Sequence, residues 1–192
     1  VDLVEMQHHE VVSSFQGNRN PFIDHPEWAA CVFESDCPKF QINAGLNDAW
    51  YNPATDGQGF FITVFPDLNA VSLAWFTYDT ELPAEDASAN LGDPGHRWLT
   101  AVGPIEGNQA IMQIEMTSGG FFDTASVVER TDPPGSDGTI TLTFDSCNSG
   151  TIEYDIPSIN RQGTIPIQRV TTDNVALCEA LSADQPAEIR IE

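Results

Sequence analysis

The chain has 192 residues, a length that suits one compact domain with a short additional segment. Its 29 acidic and 7 basic side chains give a formal net charge of −22, which disfavours direct binding of nucleic acid or any other polyanion. With 41% apolar and 9% aromatic residues, 13 prolines and 14 glycines, the composition excludes a disordered acidic tail and indicates a turn-rich β protein. No apolar run approaches the length of a membrane-spanning helix.

The first predicted element is a helix over residues 2–16. Asp2 is placed to cap it, Glu5 follows three residues later as in a capping box, and Gly17 ends it. The apolar face of this helix carries Val4, His8, Val11, Val12 and Phe15. We expect such a face to need a covering partner.

The helix leads into a dense motif, Gln16-Gly17-Asn18-Arg19-Asn20-Pro21-Phe22-Ile23-Asp24-His25-Pro26-Glu27-Trp28-Ala29. This stretch resembles the closing signature of the bacterial endonuclease I family, whose members are secreted or periplasmic, metal-dependent nucleases that cut DNA and often RNA. In that family a last amphipathic helix leads into a QGNRNPF-D-HP segment. The matching residues are Gln16, Gly17, Asn18, Arg19, Asn20, Pro21, Phe22, Asp24, His25 and Pro26.

Turn chemistry accounts for the reactive-looking side chains of this signature. Asn, Pro and Asp favour turns, and no strand or helix period runs through the segment. We expect Arg19 to pair with Asp24 or Glu27, while the apolar side chains anchor the segment. The signature is therefore predicted to be structural rather than catalytic.

The resemblance implies a catalytic set that this chain does not carry. In the family, a histidine general base within a ββα-metal element works with Mg²⁺ or Ca²⁺ held by Glu and Asn, and an Arg steadies the scissile phosphate. The histidines here are His8, His9, His25 and His96, and none lies in such a strand-turn-helix context. We therefore predict no catalytic residue and no metal or other cofactor in this chain. By this resemblance, Mg²⁺ or Ca²⁺, and nucleic acid, would be bound by a nuclease domain upstream of this chain. The chain opens on Val1 without a signal peptide, so we expect its N-terminus to lie further upstream.

Four cysteines occur as a close pair and a distant pair, without the spacing of a zinc site. Of the possible pairings, Cys31–Cys37 with Cys147–Cys178 is favoured, because each partner then lies in or beside one local unit. Disulfides indicate an oxidising compartment, so we expect a secreted or periplasmic protein. The predicted domains are a nuclease terminus at 1–30, a disulfide-containing linker at 31–42, a β domain at 43–181 and a frayed tail at 182–192.

From residue 43 the pattern alternates with a period of two. Strands are predicted at 45–51, 60–65, 70–78, 96–102, 110–117, 139–144, 151–156 and 163–170, with long loops at 79–95 and 119–138. About eight sequential antiparallel strands predict a mainly β fold, either an up-and-down barrel or a two-sheet sandwich, preceded by one N-terminal α-helix. A short helix at 172–181 is predicted to place Cys178 against the turn that carries Cys147.

Parts of this domain resemble a β module that recurs in secreted proteins of Gram-negative bacteria. The resemblance rests on the Trp, Pro and Gly residues of 45–60, on Trp75-Phe76-Thr77-Tyr78-Asp79 and on Gly95-His96-Arg97-Trp98-Leu99. It covers most of residues 43–181. It implies a secreted or periplasmic location and no particular activity.

Two roles are open for the aromatic residues of the β domain. A candidate platform for a carbohydrate or surface ligand comprises Trp50, Tyr51, Trp75, Tyr78 and Trp98. Aromatic residues at alternate strand positions first serve the core, however, and one face of the third strand is predicted to carry Val71, Leu73, Trp75 and Thr77. Aspartates in the turns offer oxygen ligands to Ca²⁺, but they lack the regular spacing of a calcium loop.

Two functions therefore remain open. In the first, the chain is the C-terminal part of a secreted endonuclease I-like nuclease, inactive by itself, and the β domain is a non-catalytic accessory module. In the second, the β domain is a non-enzymatic extracellular or envelope-associated module that binds a carbohydrate or surface ligand. An upstream histidine in a ββα-metal pattern would favour the first, and a signal peptide just before Val1 would favour the second.

Overall fold

The computed structural model describes residues 3–17, 19–24, 40–89, 91–92, 94–130, 133 and 135–183. Their contacts divide the chain near residue 40 into an N-terminal unit and a β unit. Asn18, His25 and Pro26 of the signature and the predicted Cys31–Cys37 disulfide lie outside the described residues. No helix within the described ranges has the length and apolar character needed to cross a lipid bilayer.

The predicted N-terminal helix is present as Leu3–Gln16. Gly17 ends it at a φ of 74°, and its N–H donates to the Ser13 carbonyl at 2.9 Å. Phe15, on the predicted apolar face, is 86% exposed, and the buried histidine of the helix is His9 rather than His8. The described N-terminal unit thus leaves most of the predicted apolar face on its surface.

The described part of the signature contains one helical turn, Pro21–Asp24, where the sequence predicts turns only. The Asn20 side-chain oxygen accepts a hydrogen bond from the Phe22 N–H at 3.0 Å, and the Asn20 carbonyl accepts one from the Ile23 N–H at 3.1 Å. Asn before the first turn and Pro at its first position are both favourable for starting a helix. The predicted turn therefore continues into a helix, which corrects the expectation.

Arg19 of the signature contacts the N-terminal helix. Its Nη1 lies 2.9 Å from Oε1 of Glu10. Both side chains are exposed, so solvent screens this ion pair. The side chains of the predicted partners, Asp24 and Glu27, lie outside the described residues.

The β unit is a closed antiparallel barrel of eight strands. Its strands are β1 Asp48–Tyr51, β2 Gly59–Phe65, β3 Ala70–Tyr78, β4 His96–Glu106, β5 Gln109–Glu115, β8 Thr139–Phe144, β9 Ser149–Ile156 and β10 Arg161–Arg169, while β6 Thr117–Ser118 and β7 Glu129–Arg130 form a separate ribbon. Consecutive barrel strands are neighbours and β10 pairs with β1, so the topology is up-and-down. This confirms the predicted mainly β fold and selects the barrel over the sandwich.

Each barrel strand alternates interior and exterior side chains. In β2, Phe60, Ile62 and Val64 are buried while Phe61, Thr63 and Phe65 are exposed, and β5 and β8 alternate in the same way. Apolar side chains from all the long strands meet in one core inside the barrel. The period of two in the sequence is thus the direct consequence of a sheet with one dry face and one wet face.

The two ends of the barrel differ. One end, which we call the closed end, carries the short β2–β3, β4–β5 and β8–β9 turns, the 3₁₀ turn Ala44–Leu46 and a C-terminal helix, Val175–Ala183. The other, which we call the open end, carries the connections at 52–58, 79–95, 116–138 and 157–160. The β6–β7 ribbon lies within the 116–138 connection, and its second strand, β7, falls in the segment 119–138 that is predicted as loop.

A disulfide joins the C-terminal helix to the closed end. Cys147 of the β8–β9 turn is bonded to Cys178 of the helix, which confirms this predicted pair. The sequence separation is 31 residues, and a loop of this size stabilises a fold by about 3–4 kcal/mol in the chain-entropy model. Gly45 allows the helix to pack closely, because a Cβ there would lie 2.4 Å from the Cys178 Cα. The helix also includes Ser182 and Ala183, which the sequence assigns to the tail.

Arg169, the last residue of β10, is buried at the same end. Its guanidinium donates to Asp48 Oδ2 at 2.7 Å, to the Gly45 carbonyl at 2.6 Å and to the Cys147 carbonyl at 2.5 Å. The guanidinium carbon also lies 4.7 Å from the centre of the Trp50 ring. One side chain thus joins β1, β10 and the disulfide turn, and Asp48 balances its charge.

Asp173 lies just before the C-terminal helix. The Thr171 hydroxyl donates to its carboxylate, and this hydrogen bond holds the pKa of Asp173 below its usual value. Because folding lowers this pKa, the contact stabilises the fold above the usual carboxyl pKa. That contribution is lost as the pH falls through the folded value.

We expect Arg169→Met to lower the free energy of unfolding by about 3 kcal/mol, because it leaves Asp48 without a counter-charge and two carbonyls without a donor. Urea unfolding followed by tryptophan fluorescence measures this loss. Arg161→Met removes an exposed guanidinium from the other end of β10 and should change stability by less than about 0.5 kcal/mol. Equal losses in the two variants would contradict the role assigned to Arg169.

Candidate functional site

The open end of the barrel has the features of a binding surface. Three of its four connections are longer than the turns of the closed end, which are tied by a disulfide and by Arg169. Binding residues commonly lie on loops and adjoining strand ends that a rigid scaffold positions. The described surface there is most aromatic where the β1–β2 and β3–β4 connections meet.

Four aromatic side chains lie on the outer surface near the open end, and we call this set the aromatic corner. Its members are Phe61 of β2, Phe76 and Tyr78 of β3, and Trp98 of β4, all of them exposed. Trp98 is the most exposed, at 60%. Large apolar side chains grouped on a sheet exterior are a feature of binding surfaces rather than of a plain solvated face.

Strand register brings these rings together. Phe76 pairs with Trp98 across the β3–β4 ladder, and Tyr78 pairs with His96. The rings of Phe61 and Phe76 meet edge to face with centroids 5.6 Å apart, while the Tyr78 and His96 rings are 5.5 Å apart. The corner is therefore a group of exposed aromatic side chains on three adjacent strands, with ring contacts between Phe61 and Phe76 and between Tyr78 and His96.

A cleft of about 300 Å³ opens beside the corner. Its lining includes Phe76, Trp98 and His96 together with Gly57 of the β1–β2 connection. Gly57 has a φ of 74°, and a Cβ there would lie 2.1 Å from the Tyr78 hydroxyl oxygen. Only glycine fits this position, and its absence of a side chain leaves room for the Tyr78 ring.

The cleft also holds a cation, Arg97, whose charge is already balanced. Its Nη2 lies 2.6 Å from Asp79 Oδ2. Its Nη1 donates to the Pro94 carbonyl at 2.9 Å and to the His96 carbonyl at 2.7 Å. The guanidinium therefore ties the β3–β4 connection to the strands that it joins, and both of its terminal nitrogens have protein acceptors.

The five predicted platform residues separate into two groups. Trp50 and Trp75 lie in the barrel core, 1% and 7% exposed, so they take the core role that the alternation favours. Tyr78 and Trp98 belong to the aromatic corner, and the half-buried Tyr51 accepts a hydrogen bond from Gln168 Nε2 at 3.2 Å. The structure adds Phe61 and Phe76, which the candidate platform omits. The sequence does indicate that these two side chains point outward. Each directly follows a residue on the same strand face as buried aliphatic side chains, and successive strand residues point to opposite faces.

Metal-ligating groups are not clustered in the described part of the chain. No set of three or more His, Cys, Asp or Glu residues there is arranged to hold a metal ion. Among the turn aspartates, Asp48 pairs with Arg169 and Asp79 pairs with Arg97. These two carboxylates therefore serve internal ion pairs.

A larger cleft, of about 440 Å³, lies at the closed end between the barrel turns and Leu181 of the C-terminal helix. Two of its polar side chains make internal hydrogen bonds: Asn43 Nδ2 donates to Ser182 Oγ at 3.1 Å, and Asn69 Nδ2 donates to the Ile105 carbonyl at 3.2 Å. No aromatic side chain is among its described lining residues. The smaller cleft at the aromatic corner is therefore the better candidate site.

Trp98→Ala and Trp75→Ala form a matched pair that tests the two roles of tryptophan. Removing Trp75 from the core should cost about 3–5 kcal/mol of unfolding free energy, because it leaves a cavity. Removing the exposed Trp98 should cost less than about 1 kcal/mol. Denaturant unfolding of both variants measures the difference, and a large loss for Trp98→Ala would assign that ring to the core.

Comparison of the chain with family models, with curated proteins and with solved structures finds no match. The likeness of residues 16–29 to the endonuclease I family is therefore a prediction from the motif alone. The same holds for the likeness of residues 43–181 to a secreted β module. What the β unit does has to be argued from the geometry of its surface.

Proposed function

We propose that the β domain is a non-catalytic module that binds carbohydrate through the aromatic corner. The observation that carries this proposal is the grouping of four exposed aromatic side chains, Phe61, Phe76, Tyr78 and Trp98, on adjacent strands. The C–H face of a pyranose ring packs on an aromatic ring and displaces water from both, while its hydroxyl groups stay at the rim.

The scaffold makes such a surface effective. Three of the four rings have a core residue beside them on the same strand: Phe60 is beside Phe61, Trp75 is beside Phe76 and Leu99 is beside Trp98. The rings therefore lose little conformational freedom when a ligand packs on them, which is the advantage of a preorganised site. Tyr78, with an apolar ring and a polar hydroxyl, suits a ligand that is itself part apolar and part polar.

We further propose that this module accompanies an endonuclease I-like nuclease that is secreted or periplasmic. The support is the sequence motif Gln16 to Ala29, with the Mg²⁺ or Ca²⁺ chemistry placed in an upstream domain. A net charge of −22 disfavours a role in holding DNA, so the module would hold the enzyme at a glycan surface. A free-standing envelope-associated module would use the same corner in the same way.

Carbohydrate binding through this corner is tested by affinity electrophoresis of the purified chain in gels that contain soluble polysaccharides. We expect Trp98→Ala to weaken binding about tenfold, which corresponds to the loss of about 1.4 kcal/mol. Ile111→Ala, which truncates another exposed apolar side chain on β5, is the matched control and should bind as the wild type does. If no polysaccharide retards the wild-type chain, the module is not a carbohydrate binder.

The chain alone should have no nuclease activity, because we find no base, metal set and phosphate-binding cation together in its sequence. A plasmid-nicking assay with Mg²⁺ or Ca²⁺ measures this, with EDTA as the control for metal-dependent contaminants. Cleavage that EDTA abolishes and that His25→Ala also abolishes would show that the signature is catalytic.

A further inference from the structure

We propose that the aromatic corner selects an uncharged polysaccharide and rejects polyanionic ones, because the guanidinium in its cleft is already neutralised. This inference rests on the proposed carbohydrate-binding function and specifies the chemical class of its ligand. The observations that support this inference are the Arg97–Asp79 ion pair and the charge of the surrounding surface.

Arg97 is the group that would otherwise recruit an acidic ligand. An arginine in an aromatic cleft commonly binds a carboxylate or phosphate with two parallel hydrogen bonds. Here the carboxylate of Asp79 occupies that position at 2.6 Å, and backbone carbonyls of Pro94 and His96 accept from Nη1. A uronate or a phosphodiester would have to displace the Asp79 carboxylate from Arg97. Because Asp79 belongs to the same chain, its effective concentration at Arg97 is high.

The surface near the cleft adds repulsion for anions. Asp56 of the β1–β2 connection and Glu81, Glu85 and Asp86 of the β3–β4 connection are exposed. Glu115, beside Thr100 on the neighbouring strand pair, is also exposed. With a chain charge of −22, these carboxylates make the approach of a polyanion to the corner unfavourable.

Stacking and hydrogen bonding remain available to an uncharged sugar. The exposed rings of Phe76 and Trp98 offer apolar surface, and the Tyr78 ring, which carries a hydroxyl group, lies 5.5 Å from the His96 ring on the same strands. These groups match the apolar faces and hydroxyl edges of a hexose polymer without requiring a charge. The ligand class that the corner fits is therefore a neutral glycan.

Affinity electrophoresis can separate these alternatives when hydroxyethylcellulose, alginate and double-stranded DNA are compared at low salt. Arg97 is the cation under test, because it lines the cleft beside the rings. We expect hydroxyethylcellulose to retard the wild-type chain at least about tenfold more than alginate or DNA does, and Trp98→Ala to lose that retardation.

Asp79→Asn releases Arg97 without changing the shape of the side chain, and it should gain measurable retardation by alginate. Asp67→Asn is the matched control, because it removes an equal charge from an exposed turn at the closed end and leaves the Asp79–Arg97 pair intact. Only the first variant should gain alginate binding. Equal gains in both variants, or none in Asp79→Asn, would overturn the role given to Arg97.

The outcomes for the wild type distinguish this inference from the function on which it rests. In one outcome, alginate or DNA retards the wild-type chain at least as strongly as hydroxyethylcellulose does, and this retardation requires Trp98. That result would overturn the selection for uncharged ligands and keep the aromatic corner as a carbohydrate site. Absence of any Trp98-dependent retardation would overturn the carbohydrate-binding function itself.

Discussion

Closure of the barrel depends on the buried guanidinium of Arg169. The ladder between β1 and β10 is short, with Trp50 opposite Arg169 and Tyr51 opposite Gln168. Backbone pairing alone would leave this seam weak, so the side chain that bridges Asp48, Gly45 and Cys147 completes it. A buried cation is tolerated only when its charge and its donors are satisfied, and here they are.

The same arrangement determines where a binding site can form. Disulfide, helix and guanidinium occupy the closed end, and the cleft there has no aromatic side chain among its described lining residues. The aromatic corner, near the open end, lies on strands that are held in place at the closed end, while its rings remain exposed. Phe76 and Trp98 are exposed at little risk to the fold, because the residues beside them already supply the core.

Local pattern in the sequence was enough to predict the eight barrel strands and the Cys147–Cys178 pair, but it left the sandwich open as an alternative to the barrel. It placed Trp75 on one face of the third strand with Val71 and Leu73, yet the candidate platform still included Trp75 and omitted Phe61 and Phe76. Contacts between distant residues were beyond its reach: nothing local links Arg169 to Gly45, or Gly57 to Tyr78. The helical turn at Pro21–Asp24 was missed because Asn-Pro starts both turns and helices.

The chain enters the barrel at the 3₁₀ turn Ala44–Leu46 and leaves it into the C-terminal helix, so both ends of the β unit lie on one side of it. A domain with this arrangement can be joined to different neighbours as a unit, and its opposite rim is free to diversify. Lengthening an opposite-rim connection costs little, since loop entropy grows only with the logarithm of length. Mutations there can therefore alter what the molecule recognises while the strand order and the seam stay as they are.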